Sequence, residues 1–376
     1  MKKLIWIPLV IIVVGFCLAG ATWVTNGNSV FKPGIYLDRN GVHTIDTKKI
    51  ITVDETYQPS AVKSISIDVS YMNRIRVKEG EKGGKITVKG ANYEMNGGLI
   101  SALADGTLSV TAKDLTHGPR WSVGFDIGWW IDNTDCYLEI TVPAGTKLEG
   151  LKAAAGAAKI DFTGLRAGSA SIENNFGDID IRDLTADSLD IGADAGKIKA
   201  ENITTSGSAR IENRFGAIAL TGIKAADLTV TADAGEIRAK DIQTTGLLDI
   251  TNHFGDVIAN DVTSGSMALD LKSGKLSASS VKTGDLTAGN RFGEIRFDRL
   301  TLAGLCRVNA DSGNVHIGLT NAEAEIGYDL DVDAGNISVG GSNHREGGKV
   351  SKGAANEKAH VTASNSFGNI TLEFER

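Results

Sequence analysis

One residue in a fixed frame constrains this chain more than anything else in it. A glycine recurs at Gly156, Gly177, Gly196, Gly216, Gly235, Gly255, Gly274, Gly293, Gly313 and Gly335, with successive gaps of 21, 19, 20, 19, 20, 19, 19, 20 and 22 residues. A last copy stands at Gly368, and the 33-residue gap before it implies a polar insertion near Gly340–Lys358. A period near 20 with no helical patterning is the signature of stacked β coils.

The residues around each glycine say which positions are buried. Ile211, Asn213 and Phe215 precede Gly216 at every second position, and Ile218 and Leu220 follow it in the same way, with Ile223 closing the unit. The same slots around Gly235 hold Val230, Ala232, Ala234, Ile237, Ala239 and Ile242. Around Gly255 they hold Ile250, Asn252, Phe254, Val257, Ala259 and Val262. Alternation on both sides predicts two strands sharing one buried face and meeting at the glycine, with the Phe slot pointing inward. The glycine itself fits a corner that needs a positive φ or has no room for a Cβ.

A second period of about 39 residues lies over the first. The slot before the glycine reads Phe176, Ala195, Phe215, Ala234, Phe254, Ser273, Phe292, Ser312. Two residues earlier, Asn174, Asn213, Asn252 and Asn290 alternate with Ala193, Ala232, Leu271 and Ala310. The residue between these slots should face solvent. It reads Asn175, Asp194, Arg214, Asp233, His253, Lys272, Arg291, Asp311. A 39-residue coil would stack like charges about 4.8 Å apart. A coil of about 20 residues instead gives the mixed column Asp194–Arg214–Asp233–His253, with Lys272 as the exception, and it sets large residues beside small ones in the Phe slot. The shorter rung is therefore expected, and ten or eleven of them make a rod roughly 50 Å long.

Ahead of the repeat, Lys2 and Lys3 precede an uncharged apolar run from Leu4 to Val24. As a helix it would span about 31 Å, close to the hydrocarbon thickness, with the lysines left in the cytoplasm and the rest of the chain outside. A retained anchor and a signal peptide cleaved near Ala19-Gly20-Ala21 both fit. The expected organisation is 1–24 as transmembrane signal-anchor, 25–60 as tether, 61–150 as an N-terminal β region capping the solenoid, and 151–376 as the solenoid. Within 61–150, strands are expected at Ser64–Val69, Arg74–Val77, Lys85–Val88, Leu108–Thr111 and Tyr137–Val142. The segment Asn365–Arg376 is expected to form the last rung.

The segment Leu138-Glu-Ile-Thr-Val-Pro-Ala-Gly-Thr-Lys-Leu148, followed by repeated Gly-x-Ile units, resembles the putative-adhesin repeat domain of LiaG-like bacterial envelope proteins. The resemblance covers roughly residues 60–376. It implies a β-solenoid exposed on the cell envelope, with a role in adhesion or envelope-stress response. It brings no catalytic residues.

The chain carries little conventional site chemistry. A net charge of −7 over 376 residues gives no footprint for nucleic acid. Cys17, Cys136 and Cys306 have no framework or zinc spacing. Neither the histidines nor Asp126, Asp132 and Asp135 form a metal motif, and no cofactor is implied. Asp194, Asp233, Asp311 and Asp333 invite comparison with the paired carboxylates of glycosidases. They belong to the repeat and alternate with bases, so a solvated ion-pair ladder is the better account. The Asn slots are read as amides that satisfy backbone groups at the corner. Trp121, Phe125, Trp129 and Trp130 form a cluster that either packs under the first rung or offers a contact surface. The function expected is a membrane-anchored, non-enzymatic binding surface for an envelope protein or glycan. The alternative is a carbohydrate-active β-helix enzyme whose cleft is roofed by the Gly340–Lys358 insertion and uses Asp311 or Asp333.

Overall fold

A computed structural model describes residues 33–38, 41–46, 50–93, 97–112, 136–354 and 356–375. The apolar run Leu4–Val24 and the cluster Trp121, Phe125, Trp129 and Trp130 lie outside the described residues. Among the described residues there are strands and two short 3-10 turns, Pro59–Ala61 and Glu323–Glu325, and no helix long and apolar enough to cross a membrane.

The rung around Gly216 shows how the coil is built. Strand Ser208–Phe215 runs into the corner and strand Ile218–Ala225 leaves it. Phe215 lies in register with Ala195 on one side and Ala234 on the other, and Ile218 with Ile198 and Ile237, all in parallel pairing. One turn therefore takes 19 or 20 residues, as the charge column required. Arg214 Nη1 sits 3.1 Å from Asp194 Oδ1, and His253 Nδ1 3.1 Å from Asp233 Oδ1. Ile211, Ile218, Leu220 and Ile223 are fully buried and stack on their equivalents above and below. Burying each such side chain contributes about 1.5–3 kcal/mol. The ladder persists through the bend, because Gly216 N–H donates to the Ala234 carbonyl at 2.9 Å and Ile218 N–H to that of Glu236 at 2.9 Å.

Gly216 has φ +138°, and a Cβ there would overlap the carbonyl oxygen of Gly196 in the adjacent rung. Both reasons given for the glycine thus hold together. The first corner lies two residues later than the glycine frame suggests. Ala157 pairs with Phe176, so Ala158 rather than Gly156 occupies the first corner. Gly156 sits two positions before it, packed against the Ser70 carbonyl.

Among the described residues, seven rungs bend again six residues after the glycine. Asp183, Asn202, Gly222, Asp241, Asp261, Ser280 and Arg299 have φ between +52° and +68°. Asp, Asn and Gly tolerate the left-handed region best, which is why they dominate this column. The leaving strand is therefore bent partway along its length.

The carbonyl of each corner residue points along the stack, and the buried Asn amides reach it. Asn174 Nδ2 donates to Ala158 O one rung back at 2.7 Å and to its own Gly177 O at 3.0 Å. Asn252 Nδ2 does the same to Gly235 O and Gly255 O, at 2.9 and 3.0 Å. Asn213, Asn290 and Asn365 likewise donate to the corner one rung back, at 2.8, 2.8 and 2.7 Å. One primary amide carries two hydrogens, and Asn174 and Asn252 use theirs on two successive corners. The amides recur with the 39-residue period.

The two ends are capped by strands that leave the simple coil. Ser64–Gly80 pairs in parallel with Lys147–Thr163 on one side and with Thr107–Ala112 and Tyr137–Pro143 on the other, so the ladder extends into the region expected to be a cap. Antiparallel strands Ile86–Tyr93, Ile100–Ala104 and Ile50–Tyr57 finish that edge. At the other end Asn365–Arg376 does not form the last rung. Ala359–Phe367 lies between Leu305–Ser312 and Ile326–Val339, so the chain passes outward and then threads back. The insertion makes the antiparallel strand Ser342–Lys352 on Ile326–Val339, an end piece rather than a roof over a cleft. Threading pairs both edges of the C-terminal strand and leaves a hairpin to face solvent, which blunts the exposed edge.

Candidate functional site

The residue before each corner glycine projects outward, contrary to the inward orientation expected for Phe176, Phe215, Phe254 and Phe292. Their exposures are 61–62%, that of Phe367 is 64% and that of Tyr71 is 54%. Strand alternation holds up to Asn213, which is fully buried, and resumes at Ile218. Between them the backbone turns at Gly216, so a period-two count cannot be carried across the bend. The flanking Asn174, Asn213, Asn252 and Asn290 are buried as expected, and Gly177, Gly216, Gly255 and Gly293 stand at the corners.

These side chains form one column along the coil. Tyr71 is in register with Ala157, and Ala157 with Phe176. Phe176 then leads through Ala195, Phe215, Ala234, Phe254, Ser273, Phe292 and Ser312. Phe367 follows Ser312, and Ala334 follows Phe367. Aromatic and small residues alternate without a break across the described ladder. In chain order the last three would read Ser312, Ala334, Phe367 and break the pattern. The threading of the C-terminal strand restores it, so the alternation belongs to the assembled surface. At about 4.8 Å per rung the rings recur roughly every 9.6 Å.

Charged residues of both signs border the column on both sides. The Asp194–Arg214 and Asp233–His253 pairs lie on one rim. On the other, Lys275 Nζ is 2.9 Å from Glu294 Oε2. Further round the rung, Glu201 pairs with Lys199 at 2.8 Å and with Arg182 at 3.0 Å, and the hydrogen bond from Lys199 leads the effects that hold its carboxyl below the usual range.

Groups suited to covalent or metal chemistry are dispersed. Among the described residues no three His, Cys, Asp or Glu side chains stand where they could hold one metal ion. Burial pushes the Cys306 thiol up to about 12, which leaves it a small apolar core residue. Asp311 and Asp333 are exposed on rungs that the threaded strand Ala359–Phe367 separates, rather than facing each other across a cleft. His360 forms a local cluster near the end piece, with Nδ1 2.7 Å from Glu357 Oε1 and Nε2 2.9 Å from Asp329 Oδ2.

One ladder member escapes the sequence reading of the repeat, and another is read there at a different place in the stack. Phe367 carries the full Asn-x-Phe-Gly frame in Asn365–Gly368, and only its place in the stack was misjudged. Tyr71 has no glycine after it and left no signal. The left-handed column is legible as Asp, Asn or Gly six residues after five of the corners, from Gly177 to Gly255.

The model of the Toastrack DUF4097 domain matches residues 62–259 and 248–373. Two solved structures match over most of this chain. One is a putative cell adhesion protein from Clostridium sporogenes, 9% identical, covering 87% of this chain and 100% of its own, with a TM-score of 0.19. The other is a putative adhesin from Bacteroides fragilis, 12% identical, covering 86% and 97%, with a TM-score of 0.24. Scores this low carry no argument about this chain. No curated protein matches it.

Proposed function

Because the chain belongs to the Toastrack DUF4097 family, we propose that it is a non-enzymatic binding protein of the cell envelope, held in the membrane by Leu4–Val24 with its β-solenoid outside. The observation that carries this reading is the exposed aromatic column. Five phenylalanines more than half exposed, in line on one corner, are costly to leave in water unless something covers them. The paired rim charges and the absence, among the described residues, of a metal cluster favour a surface that binds without turnover. The uncharged run Leu4–Val24 behind Lys2 and Lys3 supports anchoring with the bulk of the chain on the far side.

The test is protease treatment of intact cells that express the full chain, followed by membrane fractionation. Loss of the solenoid from intact cells and recovery of an N-terminal fragment in the membrane pellet are expected. Protection of the whole chain until cells are lysed would sink the proposal.

A further inference from the structure

Resting on that reading of the column as a binding surface, we propose that its ligand is an uncharged β-1,4-linked glycan lying along the coil axis. Three observations converge on it. The first is spacing. Rings recur roughly every 9.6 Å because every second rung carries one. In a β-1,4-linked chain each pyranose advances roughly 5 Å at ordinary bond lengths, and successive sugars are turned over. The same apolar sugar face therefore returns at about the ring spacing.

The second observation is relief. Ala195, Ala234, Ser273 and Ser312 lie between the rings, so the intervening sugars, turned the other way, have room for their substituents. Aromatic faces supply the flat apolar platform that the C–H face of a pyranose needs. The third is charge. Asp194 pairs with Arg214 and Glu294 with Lys275, and Asp233 lies beside His253, so both rims mix signs over most of their length, the stretch Lys272–Arg291 apart. A polyanion, an anionic membrane and a cationic peptide each want a rim of one sign. A neutral hydroxylated polymer wants mixed donors and acceptors beside an apolar strip, which is what borders the column. The alternation is kept through the threaded Phe367, and this makes the usable strip continuous to the end of the stack.

The experiment is calorimetric titration of the full chain in lipid nanodiscs with N-acetylglucosamine oligomers of two, four and six sugars. Affinity should climb with length as each added disaccharide meets another ring. Phe254→Ala should weaken the six-sugar ligand roughly tenfold, and Phe215→Ala with Phe254→Ala should remove measurable binding. Both variants should keep the wild-type melting temperature, since these rings lie outside the core. Three outcomes would overturn the glycan assignment: no binding at any length, binding that ignores both substitutions, or a wild-type dimer that the double variant dissociates. A protein found outside the cell whose Phe-dependent capture from envelope extracts resists glycan competitors would leave the binding-surface reading standing and remove the glycan.

Discussion

Asn252 donates its side-chain amide to the corner carbonyl oxygen of Gly235, one rung back, at 2.9 Å. The same nitrogen reaches its own Gly255 carbonyl at 3.0 Å. Replacing Asn252 with Ala leaves two corner carbonyls without that donor. Ala232 fills the equivalent slot in the neighbouring rung, so the smaller side chain itself is accommodated. The expected cost is about 1–3 kcal/mol, read as a lower denaturant midpoint at unchanged slope. A midpoint equal to wild type would show that the amide does not hold the corner.

Glycines in this chain divide sharply by place. Gly235 has φ +140°, and a Cβ there would overlap the Gly216 carbonyl. Gly235→Ala should destabilise by more than the ~1–3 kcal/mol of backbone strain alone. Gly192 lies within a strand with nothing near the position of a Cβ. Gly192→Ala should be neutral, or stabilising by up to about 1 kcal/mol. Thermal melts of the two variants side by side test the distinction.

The rings and the apolar columns should separate just as cleanly. Phe292→Ala removes a side chain that is 62% exposed and should change stability by less than about 1 kcal/mol. Ile250→Ala removes one that is fully buried and should cost about 2–5 kcal/mol. Equal losses in chemical denaturation would mean that the phenylalanines pack within the fold.

The His360 cluster gives the C-terminal end a pH dependence. Partial burial pulls the imidazole down, but hydrogen bonds to Asp329 and Glu357 outweigh it and hold the group above its ordinary 6.5. Its stabilising contribution is therefore complete below pH 6.5 and is lost as pH rises through the raised value. Asp329 is held below 3.8, first by Ser351 and then by His360, so its contribution is present above 3.8 and lost as pH falls through the lowered value. Lys358, next to Glu357, pairs with Glu325 at 2.5 Å and does not compete for the imidazole. Amide exchange in Ala359–Phe367, corrected for its intrinsic pH dependence, should quicken as pH rises above 6.5. In His360→Gln that change should vanish. A pH response that survives the substitution would place its origin elsewhere.

Most of the coil could be read before any coordinates. The glycine frame, the buried isoleucines, the mixed Asp194–Arg214–Asp233–His253 column and the corner role of the Asn amides all depend on repetition. A repeated local environment repeats its residue choice. The ladder of rings was visible as a list of phenylalanines but assigned to the wrong side. The inference needed one more step of alternation through a bend, and a bend at φ +138° does not alternate. The end rungs failed for a different reason. Whether Phe367 stacks on Ser312 or on Ala334 alone depends on which edge a returning strand fills, and no period in the chain encodes that.

The sequence by itself determined the all-β coil, the 19- to 20-residue turn and the residues that line its interior. Burial, backbone sterics and like-charge avoidance act between neighbouring rungs and imprint themselves as periodicity. Only the tertiary structure decided that the aromatic column faces water, that it runs unbroken from Tyr71 to Phe367, and that the C-terminal strand sits inside the stack. Those are relations of direction and of edge pairing. They arise when the chain has turned its corners and closed its ends, and many sequences with the same period could settle them otherwise.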